Sequence, residues 1–251
     1  MTESERFKAP IHGWRSRGCP SAHHMRLPDK SCYHGCPAYA QRMTRRRPKK
    51  LNRFTTLPVL LDLLKRRKLV LLDPSSWEDK NDSGLMLAYK ERKEIEGLCA
   101  LCFSHNDETI HHWRTFADGI SGCCIEFDAL ALQLEFDGIP GVRYGYVKYR
   151  KMRELRDATI DEDEIPFTKR WPYRCEEEFR VIWEGPEHRP FFEIPVDLQT
   201  INKITINQRM PDQVYETIRE YLRQAFKNPD QRISRSTLYE NKTWLKKFRE
   251  T

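Results

Sequence analysis

A chain of 251 residues is long enough for one large domain or two small ones with a real core, and it carries 44 Lys or Arg against 37 Asp or Glu, a net charge of +7. No run of about 18 apolar residues occurs, which excludes a membrane-spanning helix, and Met1-Thr2-Glu3-Ser4-Glu5 opens no secretory signal, so a cytoplasmic protein is expected. The charge is lopsided: residues 1–52 hold 12 basic and 3 acidic side chains, leaving the remainder at −2.

Residues 1–50 read as an irregular basic arm. Prolines at Pro10, Pro20, Pro28, Pro37 and Pro48 interrupt any period, and the arm ends in Arg45-Arg46-Arg47-Pro48-Lys49-Lys50. Cys19, Cys32, His34 and Cys36 offer a Zn²⁺ ligand set, although Cys32-x3-Cys36 is looser than paired knuckles. The bland alternative is a basic tail with incidental cysteines. Trp14, Tyr33 and Tyr39 lie among the cations, so the arm suits phosphate neutralisation and base stacking on a nucleic acid. It equally suits docking on an acidic protein partner.

Residues 51–251 read as one α+β domain. Leu51–Phe54 is a predicted strand. Leu57, Leu60, Leu61 and Leu64 then mark one face of a helix, with Thr55 or Thr56 as its cap and Pro58 in its first turn. Leu69–Leu72 is a strand, Trp77–Gly84 a polar loop, and Leu85–Ile95 a helix ended by Gly97. Leu98–Phe103 is a buried strand, and Asp107 caps a helix from about Glu108 to Ala117. Strands follow at Cys123–Phe127, Val142–Tyr149, Glu178–Trp183 and Ile201–Ile206. Pro211 opens a last helix with Val214, Ile218, Leu222 and Phe226 on its buried face. Cys99, Cys102, Cys123 and Cys124 lie inside apolar strands as reduced packing residues. No Gly-rich βα turn is present, so the expected architecture is a mixed or split, largely antiparallel sheet flanked by helices.

Chemistry concentrates in Trp171-Pro172-Tyr173-Arg174-Cys175-Glu176-Glu177-Glu178-Phe179-Arg180. In a strand beginning near Glu176, alternation puts Glu176, Glu178 and Arg180 on one face and Phe179, Val181 and Trp183 on the other. Such a face can bind a metal, position a sugar hydroxyl or stabilise a cationic transition state. It can also be a solvated acidic face neutralised by Arg180. A one-residue register error would promote Glu177 instead. Arg53-Phe54-Thr55, at a helix N-terminus, can hold a phosphate or carboxylate, or Arg53 can pair with Glu176 or Glu178 within the fold. Cys102-Phe103-Ser104-His105, with His111-His112 downstream, offers a conceivable Cys/His nucleophile pair, against a packing role; adjacent His111 and His112 point to different sides of a helix and make a poor joint metal site.

Four segments together resemble an uncharacterised family of bacterial proteins. These are Arg53-Phe54 with its following helix; the Trp77…Asn81-Asp82 loop; Cys102-Phe103-Ser104 with Trp113-x2-Phe116-Ala117-Asp118-Gly119-x2-Gly122; and Trp171…Glu176-x-Glu178-Phe179-Arg180 with Ile201–Ile206. Asn207 departs from the pattern, where a glycine is usual. The plan is similar to that of ADP-ribosyltransferase toxins of phage-defence and toxin–antitoxin systems. That resemblance implies NAD⁺ as cofactor, gripped by Arg53 with Thr55 and Arg180, an aromatic from Trp113 or Tyr149 beside the nicotinamide, and Glu178, supported by Glu176, against the oxocarbenium-like transition state. Two other functions stand beside it: a non-enzymatic nucleic-acid- or partner-binding protein acting through the arm, and a metal-dependent nuclease built on Glu176, Glu178 and Lys169.

Overall fold

Apolar alternation and helical stripes assemble here into two half-sheets that meet at one point. The computed structural model describes residues 48–156, 159–226 and 232–249, so the expected zinc ligands Cys19, Cys32, His34 and Cys36, and the arm residues expected to meet a nucleic acid or a protein partner up to residue 47, lie outside the described residues. The elements are β1 (Lys50–Thr56), α1 (Leu57–Arg66), β2 (Lys68–Leu72), α2 (Lys80–Arg92), β3 (Gly97–Ser104), α3 (Ile110–Phe116), β4 (Gly122–Asp128) and α4 (Ala129–Phe136). They continue with β5 (Val142–Tyr146), β6 (Lys148–Arg150), β7 (Thr168–Arg170), β8 (Glu178–Gly185), β9 (Phe191–Pro195), β10 (Ile201–Ile206), α5 (Asp212–Phe226), β11 (Arg232–Arg235) and α6 (Lys242–Arg249). Among the described residues no helix is long and apolar enough to cross a membrane.

One half-sheet runs β11–β10–β4–β1, the other β5–β8–β3–β2–β9. β1 and β3 join them through a single register pair, Asn52 with Ser104, whereas β3 and β8 pair along their whole length from Gly97–Gly185 to Ser104–Glu178. β10 and β11 run parallel, as do β6 and β7 in a separate two-stranded ribbon; the other pairings are antiparallel. The architecture is α+β with a mixed, mostly antiparallel sheet, as the sequence implied.

The larger core lies on one sheet face. Leu57, Leu60 and Leu63 of α1 pack there with Leu132 and Phe136 of α4, Leu222 of α5, and Phe179, Val181 and Trp183 of β8. The opposite face carries two smaller clusters. Met86 and Tyr89 of α2 cover Ala100 and Ile182, and Phe54 packs with Trp113 and Cys124.

Several expectations need correcting. Trp77–Gly84 is not a loop throughout: Asp79 accepts from the backbone N–H groups of Asn81 and Asp82 and caps α2, which starts at Lys80. The capping signal was hidden because the apolar stripe starts late; its earlier member is the charged Asp82, one face with Met86 and Tyr89. Val142–Tyr149 divides into β5 and β6, paired to different neighbours. On α5 Val214 is exposed, and Leu222 with the partly buried Tyr215, Ile218 and Phe226 forms the packed face. The cap of α3 is Thr109 rather than Asp107.

Asn207 acts as a clasp. Its Nδ2 donates to Ala117 O at 3.1 Å, its backbone N–H to Gly122 O at 2.9 Å, and its Oδ1 accepts from Arg209 N–H at 2.9 Å. The clasp depends on Gly122, where a Cβ would stand 1.8 Å from Ala117 O. Gly122→Ala is therefore expected to destabilise the fold by about 3 kcal/mol, since backbone and not a flexible side chain must move. Chemical denaturation, comparing it with Gly84→Ala, where a Cβ meets nothing within 4 Å, checks this.

Candidate active site

The split between the half-sheets opens a narrow cleft of about 40 Å³, well below the usual volume of a ligand pocket. Asn52, Arg53 and Phe54 line it from β1; Cys102, Phe103 and Ser104 from β3; His112 and Phe116 from α3; and Glu176 and Glu178 from the other side. Where β1 and β3 part, the half-buried Arg53 spans the gap, its Nη1 donating to Cys102 O at 2.9 Å. Among the described residues no carboxylate ion-pairs with Arg53, so the reading in which it neutralises Glu176 or Glu178 is not what the fold uses. Burial pushes the guanidinium below its ordinary pKa, with Glu178 opposing from a distance. It remains a cation in any case.

The carboxylates are held by a buried ion cluster. Lys169 Nζ lies 2.7 Å from Glu176, 3.1 Å from Glu178 and 3.2 Å from Asp82. Arg180, fully buried, donates through Nε to Glu178 at 2.6 Å and through Nη2 to Asp82 at 2.7 Å. Its remaining Nη1 donates to Pro166 O at 3.0 Å. Trp77 lies 5.3 Å from the Arg180 guanidinium, and Tyr173 5.1 Å from the Lys169 ammonium. Burial pushes Glu178 towards protonation, but the Arg180 and Lys169 charges and the hydrogen bonds from Arg180 and Cys102 outweigh it and bring its pKa down to about 2. Burial opposes the charge on Lys169, yet Glu178, Asp82 and Glu176 raise its pKa. Glu178 is a carboxylate at any physiological pH.

Glu176 and Glu178 share the cleft, but not because both lie on a strand. β8 starts at Glu178, and Glu176 ends the 3-10 turn Trp171–Glu176. Glu177 between them is left-handed, at φ 39°, and turns its side chain outward to His105 at 3.3 Å. Glu176 also meets His111 Nε2 at 3.3 Å.

The α3 wall is aromatic. Phe54 and His112 stack at 4.7 Å and 8°. Thr109 Oγ1 accepts from His112 N–H and lies 3.0 Å from His112 Nδ1, while Nε2 lies 3.3 Å from Glu176 O. One tautomer satisfies this set: Nε2–H donates to the carbonyl and the Thr109 hydroxyl donates to Nδ1. Burial lowers the His112 pKa, in keeping with that neutral ring.

Other sequence candidates fall elsewhere. Tyr149 does not line the cleft; its hydroxyl accepts from Glu178 N–H at 2.8 Å and props the start of β8. Trp113 is 2% exposed, packs edge-on to Phe54 and donates to Glu108 at 2.9 Å. Thr55 is buried opposite Cys123 and is outside the cleft lining. Cys102 lies beside Glu178, where burial, reinforced by Glu178, raises its thiol pKa strongly; with His105 occupied by Glu177, no nucleophile pair forms. The sequence points to Asp82 only through the acidic groups of its loop and to His112 only beside His111, and assigns neither a role in this cleft. Beyond that, Asp82 was legible as the charged member of the α2 stripe, and no sequence signal separated His112 from His111.

Acid titration checks the cluster. A carboxylate whose folded pKa of about 2 lies below its ordinary 4.5 contributes stability above pH 4.5 that is lost as pH falls towards 2. The shift corresponds to about 3 kcal/mol. Urea denaturation from pH 6 to pH 2 is expected to show this loss, and Glu178→Gln to start lower at pH 6 with a shallower acid slope.

No family model matches the chain, and no curated protein does. Among solved structures it is similar to three complexes of a Thermus sp. 2.9 DarT. That with ADP-ribosylated ssDNA gives a TM-score of 0.38 and 14% identity over 75% of this chain and 94% of that one. The complex with NAD⁺ gives 0.39 and 13% over 76% and 96%, and that with carba-NAD⁺ 0.38 and 13% over 76% and 97%.

Proposed function

We propose that the chain is an NAD⁺-dependent ADP-ribosyltransferase with its centre in the cleft between the half-sheets. One observation carries this reading: Arg53, a cation without a carboxylate partner among the described residues, and Glu178, a carboxylate held ionised, line the same cleft from opposite halves of a split sheet. A dinucleotide has the matching chemistry, with a diphosphate for the arginine and a glycosidic carbon that gains positive charge as its bond to nicotinamide breaks.

The donor set fits that ligand. Arg53 presents guanidinium N–H groups suited to phosphate oxygens. Phe54, His112 and Phe116 give flat walls for a ring. When bound, NAD⁺ supplies the activated glycosidic bond. Glu178 then acts electrostatically: a fixed negative charge in a site shielded from water lowers the energy of positive charge that develops beside it. Arg180 and Lys169 keep the carboxylate ionised and fixed in direction, so no reorganisation is needed when the charge appears. Glu176, tied to the same ammonium, is the second acceptor for a hydroxyl. Neutral His112 and the Ser104 hydroxyl both donate to Glu176 O, at 3.3 Å and 2.6 Å, and fix the turn that carries Glu176.

The test is NAD⁺ consumption and transfer of a labelled ADP-ribose by the full chain. Glu178→Gln is expected to lower turnover by roughly 10²–10³-fold while NAD⁺ still binds, the scale for removing one transition-state electrostatic partner. Arg53→Ala is expected to weaken NAD⁺ binding about tenfold or more with the fold intact, because it leaves no buried carboxylate unpaired. Unchanged consumption in folded Glu178→Gln, or unchanged NAD⁺ affinity in Arg53→Ala, rejects the assignment.

A further inference from the structure

α6 has the pattern of a packed helix but packs on no core. Its residues Lys242-Thr243-Trp244-Leu245-Lys246-Lys247-Phe248-Arg249 include three large apolar side chains, four cations and no acidic group. At about 100° per residue, Trp244, Phe248 and Leu245 share one arc about 100° wide. Arg249 borders that arc on one side and Lys247 on the other, with Lys242 and Lys246 behind. None of the eight residues is buried: Trp244 is 65% exposed, Phe248 67% and Leu245 42%. The Trp244 and Phe248 rings lie 5.1 Å apart, a contact within the helix that leaves most of each ring in solvent.

The start of α6 is built into the domain. Leu238 packs against the cluster of Phe54, Trp113 and Cys124. Tyr239 N–H and Glu240 N–H donate to Gln208 Oε1 at 3.0 and 3.2 Å, and Asn241 Oδ1 caps the helix by accepting from Trp244 N–H at 2.9 Å. A helix this short is not stable in water on propensity alone; it gains its stability by burying an apolar face. α6 has the cap and the face, and among the described residues nothing covers that face.

The dimensions decide what does. Two aromatic rings and a leucine offer roughly 500 Å², short of the about 800 Å² per partner that a stable protein interface or dimer buries. A lipid surface sets no such threshold, because the apolar side chains enter the headgroup boundary while each cation is attracted separately to anionic headgroups. Cations at both edges of an apolar arc suit that plane, their stems lying along the apolar surface and their heads reaching the phosphates. We propose that α6 seats the domain on an anionic lipid surface, with Trp244, Leu245 and Phe248 directed into it. The inference is independent of the transferase reading.

The experiment is co-sedimentation of the full chain with phosphatidylcholine vesicles containing about 30% phosphatidylserine, against pure phosphatidylcholine vesicles. Retention on the anionic vesicles is expected, falling as salt rises, with little on the neutral ones. Trp244→Ala combined with Phe248→Ala should weaken retention at least tenfold while leaving every charge of the chain in place. Exchanging the rings, Trp244→Phe with Phe248→Trp, should bind as wild type. Arg249→Gln should weaken retention about fivefold, the effect of one cation near an anionic surface. All three positions are exposed, so the fold tolerates the changes. Failure of the wild type to bind the anionic vesicles overturns the proposal, as does equal retention on neutral ones. Unchanged retention of the double alanine variant assigns the attraction to the basic residues elsewhere and overturns it too. A dimer in vesicle-free solution that the double alanine variant loses gives the face to a second copy and overturns it as well.

Discussion

Arg180 is the residue about which the functional half of the molecule is arranged. A guanidinium with no exposed surface is tolerable only if its donors are satisfied by charge and carbonyl. It meets Glu178 on its own strand, Asp82 on α2 and Pro166 O in the turn before β7. Lys169 repeats the pattern one layer out and adds Glu176. Two cations thereby fix three carboxylates from three separate elements. Removing any one leaves an uncompensated buried charge, which typically costs about 3–5 kcal/mol. Specificity of geometry, more than net stability, is what such a cluster supplies.

The second constraint is the single register pair between β1 and β3. Whereas β1 and β4, β3 and β8, and β2 and β9 exchange whole ladders, β1 and β3 meet at Asn52 and Ser104 and then part. Parted strands leave backbone groups needing partners. The Cys102 carbonyl finds Arg53, and the Asn52 side chain finds Asn106 O at 2.7 Å. The gap is thus lined by backbone that is satisfied and by a cation that is not neutralised. Such a combination supports the proposed binding cleft over a packing defect.

Much of this was legible in the sequence because it rests on local periodicity. The leucine stripe of α1, the apolar β3 and the alternation within β8 follow from spacing alone, and Ile201–Ile206 has the observed bounds of β10. What failed was non-local. Phe191–Pro195 alternates poorly and becomes β9 only because β2 offers its edge. Arg232–Arg235 is half charged and is a strand through parallel pairing with β10. The helix Ala129–Phe136 is apolar nearly all round, which hides a helical period. At the site, Arg53, Glu176 and Glu178 were readable as chemistry-bearing types. Lys169 was grouped with the two glutamates only as part of a metal site; the ion cluster that adds Asp82 and Arg180 was not legible, because it depends on a ribbon whose strands lie about twenty residues apart in sequence.

The acidic run illustrates how a wrong local picture still brought the first and third glutamates together. Three consecutive glutamates on a regular strand would alternate, putting the first and third together. Here the first and third do meet, but through a left-handed Glu177 that converts a 3-10 turn into β8. A non-glycine residue in that conformation costs roughly 1–2 kcal/mol, and its surroundings hold it there. Glu177 N–H donates to Arg174 O at 3.3 Å, and Glu177 O accepts from His105 N–H at 2.9 Å. On either side, Glu176 O takes the Ser104 hydroxyl and Glu178 N–H reaches Tyr149. Backbone strain held from the end of β3, from β6 and from the turn itself supports the functional reading proposed for this segment. A strand beginning at Glu176 would direct its carboxylate by alternation alone. The turn instead lets Lys169 gather both carboxylates at one point while Glu177 faces away, so the local irregularity is what makes the pair.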